Sequence, residues 1–196
     1  MSPHLPPEAL VTGPRVYIRH PAPEDESAFL ALNAASAAHH AGWVSPALTP
    51  EDFARKLERC RAENFEGLLV FRRQDHAVMG EINLSQIVRG VFLSAYLDYQ
   101  VGAPFARQGY MTEALHLALR HTFTTLGLHR LEANIQPENA SSIALVRRVG
   151  FTKEGFSRRY LKIGGRWRDH ERWAILREDW EGMRKPRLAP TRKGGA

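Results

Sequence analysis

The strongest constraint on the fold lies in residues 109–126. Met111, Leu115, Ala118, Leu119, Thr122, Phe123 and Leu126 recur at spacings of three and four, which gathers them on one face of a helix. Gly127 follows where a helix favours a left-handed residue past its end. The run Val91 to Val101 upstream has the composition of a strand, and a tight loop joins the two. This helix opens at Gly109 with no Ser, Thr, Asp or Asn to cap it, so its first amides have no partner. An uncapped helix start carries partial positive charge and receives phosphate readily. Glycine there lets the backbone approach a ligand closely. An ordinary strand–loop–helix turn capped by water satisfies the same residues.

The rest of the chain alternates between two periods. Arg15–Arg19 reads as a strand, Pro23 to Ser36 as a helix with an acidic start, and Pro50 to about Glu63 as a second helix capped by Thr49. Gly67–Arg73, Ala77–Ile87 and Val91–Val101 follow as three adjacent strands, which predicts an antiparallel meander. Beyond the long helix come a strand at Leu131–Gln136 and a helix at Ala140–Val149, capped by Asn139 and stopped by Gly150. Two strands, from Phe151 and from Arg166 to Leu176, complete the order. This order predicts one α/β (α+β) domain, a mixed central sheet of about seven strands flanked by about four helices. Residues 1–12 read as a proline-rich flexible leader, 13–182 as the domain and 183–196 as a basic disordered tail.

Composition narrows the class. The chain has 196 residues, 43% hydrophobic, too apolar for a disordered chain and long enough for a sizeable core. No run approaches the ~20 apolar residues that span a bilayer. A single cysteine, Cys60, excludes an intramolecular disulfide framework and points to a reducing compartment. With no secretory signal in the first residues, a cytoplasmic location is expected. The nine histidines show no metal-ligand spacing, so no metal is expected. The net charge of +6 is unevenly placed: residues 1–98 carry nine Lys/Arg and twelve Asp/Glu, and residues 99–196 carry eighteen and nine. Such a basic second half favours nucleic acid, phosphorylated cofactors or an acidic surface.

Two segments about 30 residues apart carry a resemblance. Arg107-Gln108-Gly109-Tyr110-Met111-Thr112-Glu113-Ala114-Leu115 resembles the coenzyme loop and helix of the GNAT superfamily of acyl-coenzyme A-dependent N-acyltransferases. Asn139 and Ser142, followed by Gly150-Phe151, resemble its next motif, and the order of elements agrees. Within the superfamily the chain is most similar to the ribosomal-protein-alanine N-acetyltransferases, through Val88-Arg89-Gly90, Tyr96-Leu97-Asp98-Tyr99 and Gly165-Arg166-Trp167-Arg168-Asp169-His170. The likeness runs from about Arg15 to Trp180.

The resemblance implies roles. Acetyl-CoA would be the co-substrate, with its acetyl and pantetheine on backbone groups of Gln100, Val101 and Gly102 beside a splay in the sheet. The amides of Arg107, Gln108, Gly109, Tyr110, Met111 and Thr112 would take the pyrophosphate, and Asn139 the pantetheine arm. The family has glycine where Arg107 stands; an arginine still presents its amide and adds a cation. The acceptor would be a protein N-terminus, ending in Ala or a similar small residue, held by Trp43, Arg89 and Trp167.

Family chemistry is direct transfer, and Cys60 lies far in sequence from the motifs. A departing thiolate needs a proton donor. The Tyr that some relatives use falls at Val146, which leaves Ser142. The base falls to Asp98 ahead of Glu132 and Glu81, because Arg89 stands at the family's glutamate position. Asp98 equally suits a structural carboxylate paired with an arginine, and Ser142 a helix-start hydrogen bond. Residues 147–177 hold ten Lys/Arg against three acids, with aromatics interleaved. That mix suits ribosome or RNA contact, and equally a strand whose cations are simply solvated. Acylation of a small amine remains a third reading, and the protein is expected as a monomer or homodimer.

Overall fold

The structure, a computed structural model, describes residues 9–184 except Ser45. Eight strands form one mixed sheet: β1 (Val11–Thr12), β2 (Val16–Arg19), β3 (Phe65–Arg72), β4 (Val78–Val88), β5 (Ser94–Val101), β6 (Arg130–Ile135), β7 (Thr152–Ile163) and β8 (Arg166–Leu176). Five helices accompany them: α1 (Glu26–His40), α2 (Pro50–Arg59), α3 (Tyr110–Arg120), α4 (Ala140–Arg148) and α5 (Arg177–Arg184). Spatial order across the sheet is β1-β2-β3-β4-β5-β6-β8-β7. Strands β3, β4 and β5 form the expected antiparallel meander.

Strand alternation divides the core into two layers. Val16, Ile18, Leu68, Val70 and Ile82 point to one face, where Met111, Ala114, Leu115 and Ala118 of α3 cover them. Tyr17, Leu69, Phe71 and Val78 point to the other, against Phe29 of α1 and Phe53 of α2. The Phe29 and Phe53 rings meet at 5.4 Å, and truncating either to Ala would cost about 3–5 kcal/mol. Thr49 and Asp52 close a capping box at the start of α2.

The structure departs from the sequence reading at four places. Val11–Thr12, within the expected leader, pairs with β2; residues 1–8 lie outside the described part. The stripe through Leu126 is not one continuous α-helix. After Arg120 the chain widens into a π turn over His121–Thr125, with Leu126 N donating to His121 O. Strand β5 begins at Ser94, and Val91 and Phe92 are exposed. A fifth helix follows β8, with Glu178 and Asp179 in its first turn and Trp180 buried against Phe123. The basic tail expected from 183 begins inside α5, and its remainder, 185–196, lies outside the described residues.

Candidate active site

The sheet opens in its middle. Strands β5 and β6 run parallel but pair only through Ser94–Tyr96 and Arg130–Glu132. Beyond that point β5 stays with β4 as far as Val101, and β6 stays with β8 as far as Ile135. Backbone groups on the two diverging edges therefore face a cleft of about 760 Å³. Leu97–Val101 of β5 form one wall and Ala133–Ile135 of β6 the other, with the start of α3 and the first turns of α4 at one end. Trp43 closes the opposite side, on a loop tied to the end of β6 by Gln136 Nε2 donating to Gly42 O at 3.2 Å.

The loop into α3 presents unpaired amides, a geometry that can receive an anion. Amides of residues 107–112 bond to no internal acceptor among the described residues; the first helical bond here is Glu113 N to Gly109 O. Gly109 caps α3 in the left-handed conformation, φ +79°. Arg107 also has positive φ, +60°. A side chain there costs roughly 1 kcal/mol, so the backbone keeps a glycine-like shape without glycine. The loop is anchored from behind. Glu113 accepts from the amides of Arg15 and Val16 at 2.7 and 3.2 Å and from Arg15 Nε at 2.9 Å, while Arg15 reaches Gln108 O at 3.1 Å. At its other end Gly102 packs so closely on Leu32 that a Cβ would lie 2.2 Å from a Leu32 methyl.

The opposite wall carries titratable groups. Asn83 and Asp98 are cross-strand partners, and Asn83 Nδ2 donates to Asp98 Oδ1 at 2.7 Å. Lys56 of α2 binds both Glu81 and Asn83 Oδ1, and Gln100 binds Glu81. Asp98 is exposed to solvent on the cleft side, with protein packed around the rest of its carboxyl. That crowding pushes its carboxyl up to about 6, against the bond from Asn83. It pairs with no arginine among the described residues. Ser142 lines the cleft from the first turn of α4, its amide donating to Asn139 Oδ1 at 3.1 Å. Tyr99, which sequence reasoning passed over, spans the gap: its hydroxyl donates to Ser142 O at 3.3 Å, and burial raises its pKa to about 12. His170 also lines the cleft and is buried. Its Nδ1 meets Arg168 O at 3.0 Å, and desolvation lowers its pKa.

The cleft thus gathers Asp98, Gln100, Val101, Arg107, Gly109, Met111, Thr112, Asn139, Ser142 and Trp43. Three coenzyme candidates are not part of its lining. Gly102 sits behind the wall against Leu32. Gln108 turns back onto Pro104 O, and Tyr110 packs on Phe105 and under Arg15. Two acceptor candidates lie elsewhere. Arg89 binds Leu126 O at the far end of β4. Trp167 is 61% exposed, paired across the hairpin with Lys162. Strand alternation sends Trp167 away from the cleft while Leu161 and Ile163, one residue to either side of Lys162, line it. Among the described residues no group of three or more His, Cys, Asp or Glu could hold a metal ion, and no helix is long and apolar enough to cross a membrane.

The fold that carries this splayed pair is shared with known proteins. The acetyltransferase (GNAT) domain model matches residues 15–152. The chain belongs to this family. It is 40% identical over 111 residues to the Escherichia coli [ribosomal protein uS5]-alanine N-acetyltransferase, a match that spans 57% of each protein. Mycobacterium smegmatis RimJ, solved in complex with CoA-disulfide, superposes with a TM-score of 0.76 at 30% identity, covering 83% of this chain and 82% of that one. Vibrio cholerae spermidine N-acetyltransferase, solved with CoA and spermine, has the same fold: TM-score 0.73, 20% identity, coverage 85% and 98%. GNAT acetyltransferases are acyltransferases that use acetyl-CoA.

Proposed function

We propose that this protein acetylates the α-amino group of a protein N-terminus, that of a ribosomal protein beginning with alanine or a similar small residue. One observation carries the reading: the splay sets a pyrophosphate-sized row of free amides at one end of a cleft and a carboxylate of raised pKa on its wall. The 40% identity to the uS5-alanine enzyme favours this acceptor.

The residues fit the co-substrate. Amides 107–112 would hold the pyrophosphate, Asn139 Nδ2 the pantetheine arm, and the unpaired edge of β5 at Gln100–Val101 the acyl end. Acetyl-CoA, when bound, supplies an acetyl thioester. Asp98 takes a proton from the acceptor ammonium. An α-amino group has a pKa of ~8, so a carboxylate near 6 is an adequate base. Ser142 Oγ holds a proton on the α4 side of the cleft, for the sulfur that leaves. Its backbone stays fixed by Asn139 and Tyr99. Cys60 takes no covalent part: burial raises its thiol pKa, and it packs beneath Gly67, not in the cleft. Direct transfer therefore needs no further nucleophile.

A polyamine is the second reading, favoured by the fold shared with the Vibrio cholerae spermidine enzyme. Incubation with acetyl-CoA and a panel of N-terminal peptides, polyamines and aminoglycosides, read by mass shift, separates the two. The peptide reading expects a single added acetyl on the α-amine of Ala- or Ser-initiated peptides; transfer to spermidine alone overturns it. The protein is expected to work in the cytosol, as monomer or homodimer.

A further inference from the structure

The β7–β8 hairpin forms one wall of the cleft and continues past it. His170 lines the cleft, and Arg168 and Arg166 follow at every second residue, so all three share one face. Register agrees: Arg168 stands opposite Leu161 and Arg166 opposite Ile163, the two apolar residues that line the cleft. Residues pointing to one face of an antiparallel pair are neighbours. A bulge precedes them, where Arg158–Tyr160 oppose Asp169 alone. Arg159 adopts φ +48° there, its amide held by Asp169 Oδ1 at 2.7 Å. Such a bulge bends a strand and re-aims its side chains.

Charge at this end of the hairpin lacks ion-pair partners among the described residues. Residues 157–168 contain Arg158, Arg159, Lys162, Arg166 and Arg168 and no acid. None of the five forms an ion pair among the described residues. Asp169 falls on the opposite face and is occupied by the Arg159 amide. Arg168 and Arg166 are exposed, and on their strand face they run on from the buried His170, which lines the cleft.

From this row we infer that the acceptor carries carboxylates a few residues beyond its acetylated amine, and that Arg166 and Arg168 select for them. The inference rests on the peptide-acceptor reading above and deepens it. An extended peptide entering beside His170 would meet Arg166 after about four residues, since His170 to Arg166 spans ~13 Å of strand. Planar guanidinium groups suit carboxylates. The same row repels a polyamine, which bears only positive charge.

The test compares two Ala-initiated peptides that differ only in Glu or Lys at their fourth to sixth residues. Wild-type protein is expected to favour the acidic peptide by about tenfold or more in kcat/KM, with the advantage fading as salt rises. Arg166→Glu/Arg168→Glu should reverse the preference, and Arg166→Lys/Arg168→Lys should retain it. Coenzyme binding by calorimetry reports whether each variant is folded; if the reversal does not fold, the wild-type peptide and salt series decide alone. Equal rates on both peptides overturn the inference while leaving N-terminal acetylation standing. So does loss of affinity for a single-stranded RNA in the reversal variant with the peptide preference unmoved. Transfer to no peptide in the wider panel overturns both readings.

Discussion

Asn83 Nδ2 donates to Asp98 Oδ1 at 2.7 Å across the β4–β5 ladder, while Asp98 itself faces the cleft. The bond fixes the carboxylate on the wall and leaves Oδ2 for an acceptor. Crowding by protein lifts the pKa to about 6, above the ordinary value of 3.8. Because the base must be ionised, kcat/KM should rise with pH through about 6. Asp98→Asn should remove that limb and lower kcat/KM by about 10²-fold or more. A pH–rate profile of both proteins checks this; an unaltered acidic limb would exclude Asp98.

The same shift makes a stability statement. A carboxyl whose folded pKa lies above its unfolded one binds more protons when native. Its contribution is therefore present at low pH and is lost as pH rises from about 4 to 6. Asp98→Asn keeps an acceptor for Asn83 and carries no charge. The variant should melt at pH 7 no lower than the wild type in a thermal scan.

Ser142→Ala should lower kcat by about tenfold or more, within the usual reach of a proton donor, and leave the Kd for coenzyme A unchanged. The split follows from the roles at the start of α4: Asn139 caps with its own oxygen, so the serine hydroxyl is not needed for the helix. Single-turnover kinetics and calorimetry separate the two quantities. Equal turnover would take the hydroxyl out of the mechanism.

Glu113 serves β2 and the α3 loop together. Glu113→Ala strands the Arg15 and Val16 amides and leaves Arg15 held to the loop only through Gln108 O. A loss of about 1–3 kcal/mol in stability is expected from urea unfolding, with weaker coenzyme A binding. Arg107→Gly tests the loop differently. It relieves the left-handed strain at φ +60° but loses a cation. Stability should hold and coenzyme A affinity fall by only about fivefold, as for one exposed ionic contact. A fall beyond about 100-fold would assign phosphate binding to the side chain and not to the amides.

How much was legible in the sequence depended on range. The α3 stripe, the Thr49 and Asn139 caps and the meander follow from spacings within one element, so they were readable. The Glu113–Arg15 latch joins residues 98 apart and has no local signature. Faces on the terminal hairpin were likewise hidden: register decides which side each residue takes, and the shift of one residue from Trp167 to Arg166 or Arg168 exchanges one face of the hairpin for the other. Arg89 lies apart from the cleft for a similar reason, its partner being the carbonyl of Leu126. A signal for α5 was available in Glu178-Asp179 ahead of buried Trp180, an acidic first turn with an apolar anchor.

Mass spectrometry of an Ala-initiated peptide after incubation with the protein and acetyl-CoA decides whether the protein acetylates protein N-termini. One acetyl group on the α-amine, absent when the peptide's N-terminus is blocked, is the predicted result. No transfer to any free peptide N-terminus, with acetylation of spermidine or another small amine in the same assay, would contradict it.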